Sequence, residues 1–112
     1  MNTQRKIMSQ TETDRILKLL GLAKRAGRLK SGSFQTEEAV KGGKATLVLI
    51  TEDSSDASKK GWTDMCEYYE VPYIFFGKKE ELGHALGMEY RAVAALTDQG
   101  FADKIISLLE ER

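Results

Sequence analysis

The chain has 112 residues, with 17 Lys or Arg balanced by 17 Asp or Glu, one histidine, one cysteine and one proline. That length gives room for one hydrophobic core and not for two, and 41% hydrophobic with 30% charged residues excludes a disordered or low-complexity chain. The longest apolar runs, "TLVLI" and "VPYIFF", fall far short of the roughly 20 residues that cross a bilayer, no signal-peptide block opens the chain, and the lone Cys66 makes neither an internal disulfide nor a structural zinc site. A cytoplasmic protein without membrane, metal or disulfide is expected.

The first 11 residues are polar and aperiodic and read as a flexible tail, leaving residues 12–112 as a single domain. Thr13 reads as the cap of a first helix, with Ile16, Leu19, Leu20 and Ala23 at helical spacing and Gly27 at its end. "RLKS" alternates as a short strand closed by Gly32. Ser33 then caps a second helix that turns Phe34, Ala39 and Val40 inward and stops at Gly42 and Gly43. "ATLVLI", residues 45–50, is a continuous β-branched and aliphatic run, the pattern of a central strand covered on both faces. A third helix from about Ser58 to Tyr69 places Trp62, Met65, Cys66 and Tyr69 on one side. "VPYIFF" is a strand that tolerates Pro72 near its start, "KKEELGHALG" a short helix ending at Gly87, and "RAVAAL" another strand. Residues 99–110 form a last helix with Phe101, Ile105, Leu108 and Leu109 inward. This alternation implies an α/β protein, a three-layer α/β/α sandwich around a mixed sheet of about four strands, with the short polar first strand at an edge.

Most enzyme chemistries find no support in these residues. His84 sits mid-helix with no triad pattern around it, and Cys66 lies on an apolar helix side as a small hydrophobe. No phosphate-binding loop and no dinucleotide fingerprint follow any strand, so no nucleotide cofactor is expected. Glu52, Asp53 and Asp56 follow the central strand, where open α/β sheets hold ligands, but the first strand supplies no partner acids for a magnesium pocket. They read as acids at the start of the third helix, favoured by its dipole.

Zero net charge conceals an asymmetry. Residues 1–44 carry ten bases against four acids, and residues 45–112 carry seven bases against thirteen acids. Within the basic part, "AGRLKSGSFQTEEAV" places Gly32 and Ser33 where a strand gives way to a helix, whose first free N–H groups attract anions. Arg28 and Lys30, two apart on that strand, project from one face, with Lys24 and Arg25 close in sequence. The stretch suits phosphates; it suits equally a plain turn with solvated cations.

Read whole, "GRLKSGSFQTEEAVKGGKATLVLITED" and "CEYYEVPYIFFGKKEELGHALGMEYRAVAALTDQGFADKI" resemble the kink-turn-binding ribosomal protein superfamily of archaeal L7Ae and eukaryotic L30e, most of all its short bacterial YlxQ-type members. The likeness spans residues 14–110. It implies an α/β/α sandwich without catalytic activity or cofactor, and a structured RNA, ribosomal or otherwise kinked, as partner. It further implies two RNA-holding places: Gly32, Ser33, Phe34, Gln35 and Glu38 at the second helix, and Met88, Glu89, Tyr90, Arg91 and Ala92 in the loop after the fourth. Where strong kink-turn binders have asparagine then glutamate, this chain has Phe34 and Gln35, and a family lysine is Glu38. Gln35 still offers a donor and an acceptor, Phe34 neither. Weaker binding, or a different bent RNA, is therefore expected. The rival reading is a protein-interaction module in which Phe34, Met88 and Tyr90 form an apolar patch.

Overall fold

The computed structural model describes residues 9–110. The tail expected over residues 1–11 lies, for residues 1–8, outside the described residues. Helix α1 (Gln10–Arg25) begins earlier than Thr13, because Ser9 and Glu12 form a reciprocal capping box: Glu12 N–H donates to Ser9 Oγ at 3.1 Å, and Ser9 N–H to Glu12 Oε1 at 2.9 Å. Helix α1 buries Ile16, Leu20 and Ala23 of the stripe that the sequence spacing suggests, with Gly21 beside them and Leu19 only partly covered.

Strand β1 (Leu29–Ser31) leads through Gly32 into α2 (Ser33–Lys41), followed by β2 (Leu47–Ile50), α3 (Asp56–Tyr68), β3 (Tyr73–Phe75), α4 (Lys79–Ala85), β4 (Val93–Leu96) and α5 (Gln99–Glu110). The four strands run in the order β1-β4-β2-β3, with β4 antiparallel to both β1 and β2 and β3 parallel to β2. Strand β1 is thus an edge of a mixed sheet, and β2 and β4, every residue buried, are its centre.

Because side chains alternate across a strand, the sheet divides the interior into two cores. Leu29, Leu47, Leu49, Ala94 and Leu96 face α1, α4 and α5 and pack with Leu20, Leu82 and Ile105. Val48, Ile50, Val93 and Ala95 face α2 and α3 and pack with Ala39, Val40 and Cys66. Each fully buried aliphatic side chain contributes about 2 kcal/mol.

Three expectations change. Helix α2 turns Thr36, Ala39 and Val40 inward at i, i+3, i+4, which leaves Phe34 in solvent, 74% exposed. Tyr69 is the C-cap of α3, and its ring meets Tyr68 edge-on at 4.9 Å rather than entering the core. Helix α3 starts at Asp56 with Ser55 as its cap, while Asp53 serves a different helix: its Oδ1 accepts from Lys79 N–H at the start of α4, at 3.1 Å. For Phe34 the period of the helix outweighs hydrophobicity, and for Asp53 a partner distant in sequence outweighs proximity along the chain.

Candidate nucleic-acid interface

The N-terminus of α2 sits where the ends of β1 and β2 meet the start of β4. Gly32 N–H donates to Val93 O at 3.0 Å and Thr51 N–H to Ala92 O at 2.9 Å, so two loops arrive at one end of the sheet. Gly32, not Ser33, is the N-cap of α2, and it supplies no side-chain acceptor. The amides of Ser33, Phe34 and Gln35 therefore open the helix without an internal partner, whereas Ser9, Ser55 and Asp98 cap α1, α3 and α5 with side-chain oxygens. Gly32 has φ 89° and ψ 162°, a conformation confined essentially to glycine. A Cβ on it would point at the Arg91 guanidinium, 3.7 Å from Nε.

Arg91 joins the two loops. Its Nε–H donates to Ser31 Oγ at 3.1 Å and its Nη1 to the Tyr90 carbonyl at 3.0 Å, so the guanidinium lies beside the opening of α2. The loop carrying it is seated on α4 by Gly83: a Cβ there would stand 2.6 Å from the Glu89 carbonyl oxygen and 2.8 Å from Tyr90 Cα. Met88 N–H also donates to Gly83 O at 2.8 Å, and Arg91 N–H to Lys79 O at 3.1 Å. Met88 turns partly into the core, which leaves Glu89 and Tyr90 outward, Tyr90 58% exposed.

The structure thus assembles Gly32, Ser33, Phe34, Gln35, Tyr90 and Arg91 at one corner, with Lys30 exposed at the middle of β1. It does not assemble all the cations. Arg28 O accepts from Thr97 N–H, and Arg28 N–H donates to Ala23 O, at the opposite end of β1. Along an extended strand Arg28 is about 13 Å from Gly32. Lys24 and Arg25 share that far end, and Arg25 lines a cleft of about 610 Å³ between α1 and α4. His84 is in the same cleft, exposed. Glu37 and Glu38 flank a groove running down α2 from Phe34 to Gly42, and Lys41 Nζ holds Glu37 Oε2 at 2.6 Å. Burial pushes the Cys66 thiol up to about 11, with Glu67 adding to it, consistent with an inert core thiol.

Ser31 and Gly83 escaped the sequence reading, since a serine inside a strand and a glycine inside a helix carry no signal of their own there. Only a contact 60 residues away gives Ser31 a role.

The model of the Ribosomal protein L7Ae/L30e/S12e/Gadd45 family matches residues 14–106. The chain belongs to this family. It is 48% identical to RNA-binding protein YlxQ of Bacillus subtilis (strain 168) over 92 residues, covering 82% of this chain and 92% of that protein. A second RNA-binding protein YlxQ, from Enterococcus faecium, is 34% identical over 103 residues, 92% of this chain and 99% of the relative. Among solved structures, a Bacillus halodurans protein of unknown function superposes with a TM-score of 0.81 at 38% identity, over 86% of this chain and 97% of the other. The Giardia lamblia 15.5kD RNA binding protein, at 24% identity and a TM-score of 0.74 over 94% of this chain and 90% of the other, shares the fold. The L7Ae/L30e family scaffold and the α/β/α arrangement expected from sequence are those observed.

Proposed function

We propose that this chain is a non-catalytic RNA-binding protein, acting in the cytoplasm on a bent, kink-turn-like structured RNA such as a segment of ribosomal RNA. The relatives named RNA-binding protein support the partner class. The observation that carries the site is the opening of α2, where three backbone amides without partners stand next to the Arg91 guanidinium. A helix opening concentrates partial positive charge on its free N–H groups, and a sharp RNA bend crowds phosphates that need such donors.

On this reading Ser33 and the neighbouring amides meet phosphate, Lys30 and Arg91 add charge, and Gln35 reaches a base edge with its donor and acceptor. Exposed Phe34 and Tyr90 give an extruded base a ring to stack on. Met88 and Glu89 shape the loop rather than bind. Arg28, at the far end of β1, contributes at most long-range attraction.

Filter binding of a kink-turn RNA and of a straight duplex, at about 50 to 200 mM salt, tests the proposal. The kinked RNA is expected to bind more tightly, and Lys30→Gln to weaken it more than Arg28→Gln. Equal binding of both RNAs, or Arg28→Gln being the more damaging, overturns this placement.

A second reading, a protein-interaction module, draws on Phe34 at 74% and Tyr90 at 58% exposure beside Glu37, Glu38 and Glu89. It expects no RNA discrimination and a protein partner in fixed ratio after purification.

A further inference from the structure

The sheet has a second edge, β3, on the side opposite β1. Val48 N–H donates to Pro72 O and Phe76 N–H to Ile50 O, each at 2.9 Å, so residues 72, 74 and 76 turn their backbone toward β2. Alternation then turns the N–H and C=O groups of Tyr73 and Phe75 outward, where no backbone group among the described residues meets them. An edge of this kind accepts another strand unless something covers or blunts it.

The side chains there are matched to a particular kind of strand. Tyr73 and Phe75 share one face, their rings edge-to-face at 6.1 Å, and Phe75 is 43% exposed. A cation already rests on that ring: Lys59 Nζ is 5.6 Å from its centroid. Beside it Tyr73 Oη donates to Glu67 Oε2 at 2.9 Å, with Glu67 exposed at the rim. Residues 52–75 carry six acids against two bases, and one of those bases, Lys60, is held by Asp64 at 3.0 Å. Acidic surroundings repel an RNA backbone, and a second copy paired edge to edge would bring two acidic strips together.

We propose that the β3 edge, Tyr73–Phe75 with Glu67, docks an extended lysine- or arginine-rich segment of another protein as a fifth strand. The incoming backbone pairs with the outward groups of Tyr73 and Phe75, and alternate cationic side chains reach the Phe75 ring and the Glu67 carboxylate. Three strand spacings put β3 about 14 Å from β1, so a strand docked there leaves the corner where β1 enters α2 open. The docking is independent of what RNA binds at α2.

A fluorescein-labelled ten-residue peptide of alternating arginine and threonine, and its citrulline counterpart, test this by anisotropy and by amide shifts of the labelled protein. The arginine peptide is expected to saturate and to shift the Tyr73 and Phe75 amides, while the citrulline peptide binds at least tenfold more weakly. Phe75→Ala and Glu67→Gln are each expected to weaken binding about fivefold, and Lys59→Ala, which frees the ring, to tighten it. Amide spectra of each variant establish that it remains folded. Equal binding of the citrulline peptide, shifts confined to another surface, unchanged affinity in both Phe75→Ala and Glu67→Gln, or self-association through β3 in sedimentation overturns the proposal.

Discussion

The Arg91 Nε–H donates to Ser31 Oγ at 3.1 Å, joining strand β1 to the loop that follows α4 across 60 residues of chain. Ser31 is 9% exposed, so this bond is partly shielded from water and holds the guanidinium beside the α2 opening. Removing the acceptor with Ser31→Ala is expected to cost about 1 kcal/mol in urea unfolding. The more telling result is larger amide mobility at residues 88–91, with weaker RNA binding, in a protein that otherwise retains its spectrum. Unchanged loop dynamics would show that the packing against Gly83 and the main-chain bonds to α4 hold the loop without this contact.

Gly83→Ala places a methyl group against loop backbone, 2.6 Å from the Glu89 carbonyl and 2.8 Å from Tyr90 Cα. Alanine favours a helix by about 1 kcal/mol over glycine, but the overlap with main chain costs about 1 to 3 kcal/mol or more. Net destabilisation is expected, together with displacement of Tyr90 and Arg91. A variant at least as stable as the parent by denaturant titration would mean that the loop shifts freely.

Glu70 is the one non-glycine residue with positive φ among the described residues, at 59°, immediately after α3. A side chain in the left-handed region costs about 1 to 2 kcal/mol, more than the added chain entropy of glycine. Glu70→Gly is therefore expected to raise stability by about 1 kcal/mol, read as an upward shift in thermal midpoint.

Glu38 stands exposed on the α2 face that also carries Phe34. With RNA at the α2 opening, Glu38→Lys replaces repulsion by attraction. Affinity for kinked RNA is expected to rise, and the slope of log affinity against log salt to steepen by about one. No change in slope would place the phosphates elsewhere.

Alkaline pH is expected to destabilise the fold. Burial raises the Cys66 thiol from 9.0 to about 11, so between those values the unfolded chain releases a proton that the folded chain keeps. The folded state binds more protons there, and stability falls as pH rises through that window. Hydrogen bonding to Glu67 raises Tyr73, and hydrogen bonding to Glu37 raises Lys41, both acting in the same direction but at exposed positions where solvent screens them. Thermal midpoints of parent and Cys66→Ala between pH 8.5 and 11 check this: the variant is expected to lose less.

Every strand and helix was legible before the structure, because period and punctuation are local properties. Boundaries and special roles were less so. Phe34 reads from the sequence as an inward residue of α2, yet the 3.6-residue period set by Thr36, Ala39 and Val40 leaves no room for it on that face. From the sequence Asp53 belongs to the start of the nearest helix, whereas its partner is Lys79, 26 residues on. The basic stretch around Arg28 and Lys30 looked like one cluster because its residues are consecutive, but an extended strand carries its two ends to opposite ends of the sheet.

By itself the sequence determined the order of elements, the edge position of β1 and the buried β2, since each depends on residue type and spacing within a few residues. Only the tertiary structure decided which cations and aromatics share a corner, which acid caps which helix, and that β3 presents an open, acid-flanked edge. Those outcomes depend on strand order and on contacts between segments up to 60 residues apart, and neither is encoded in any local pattern.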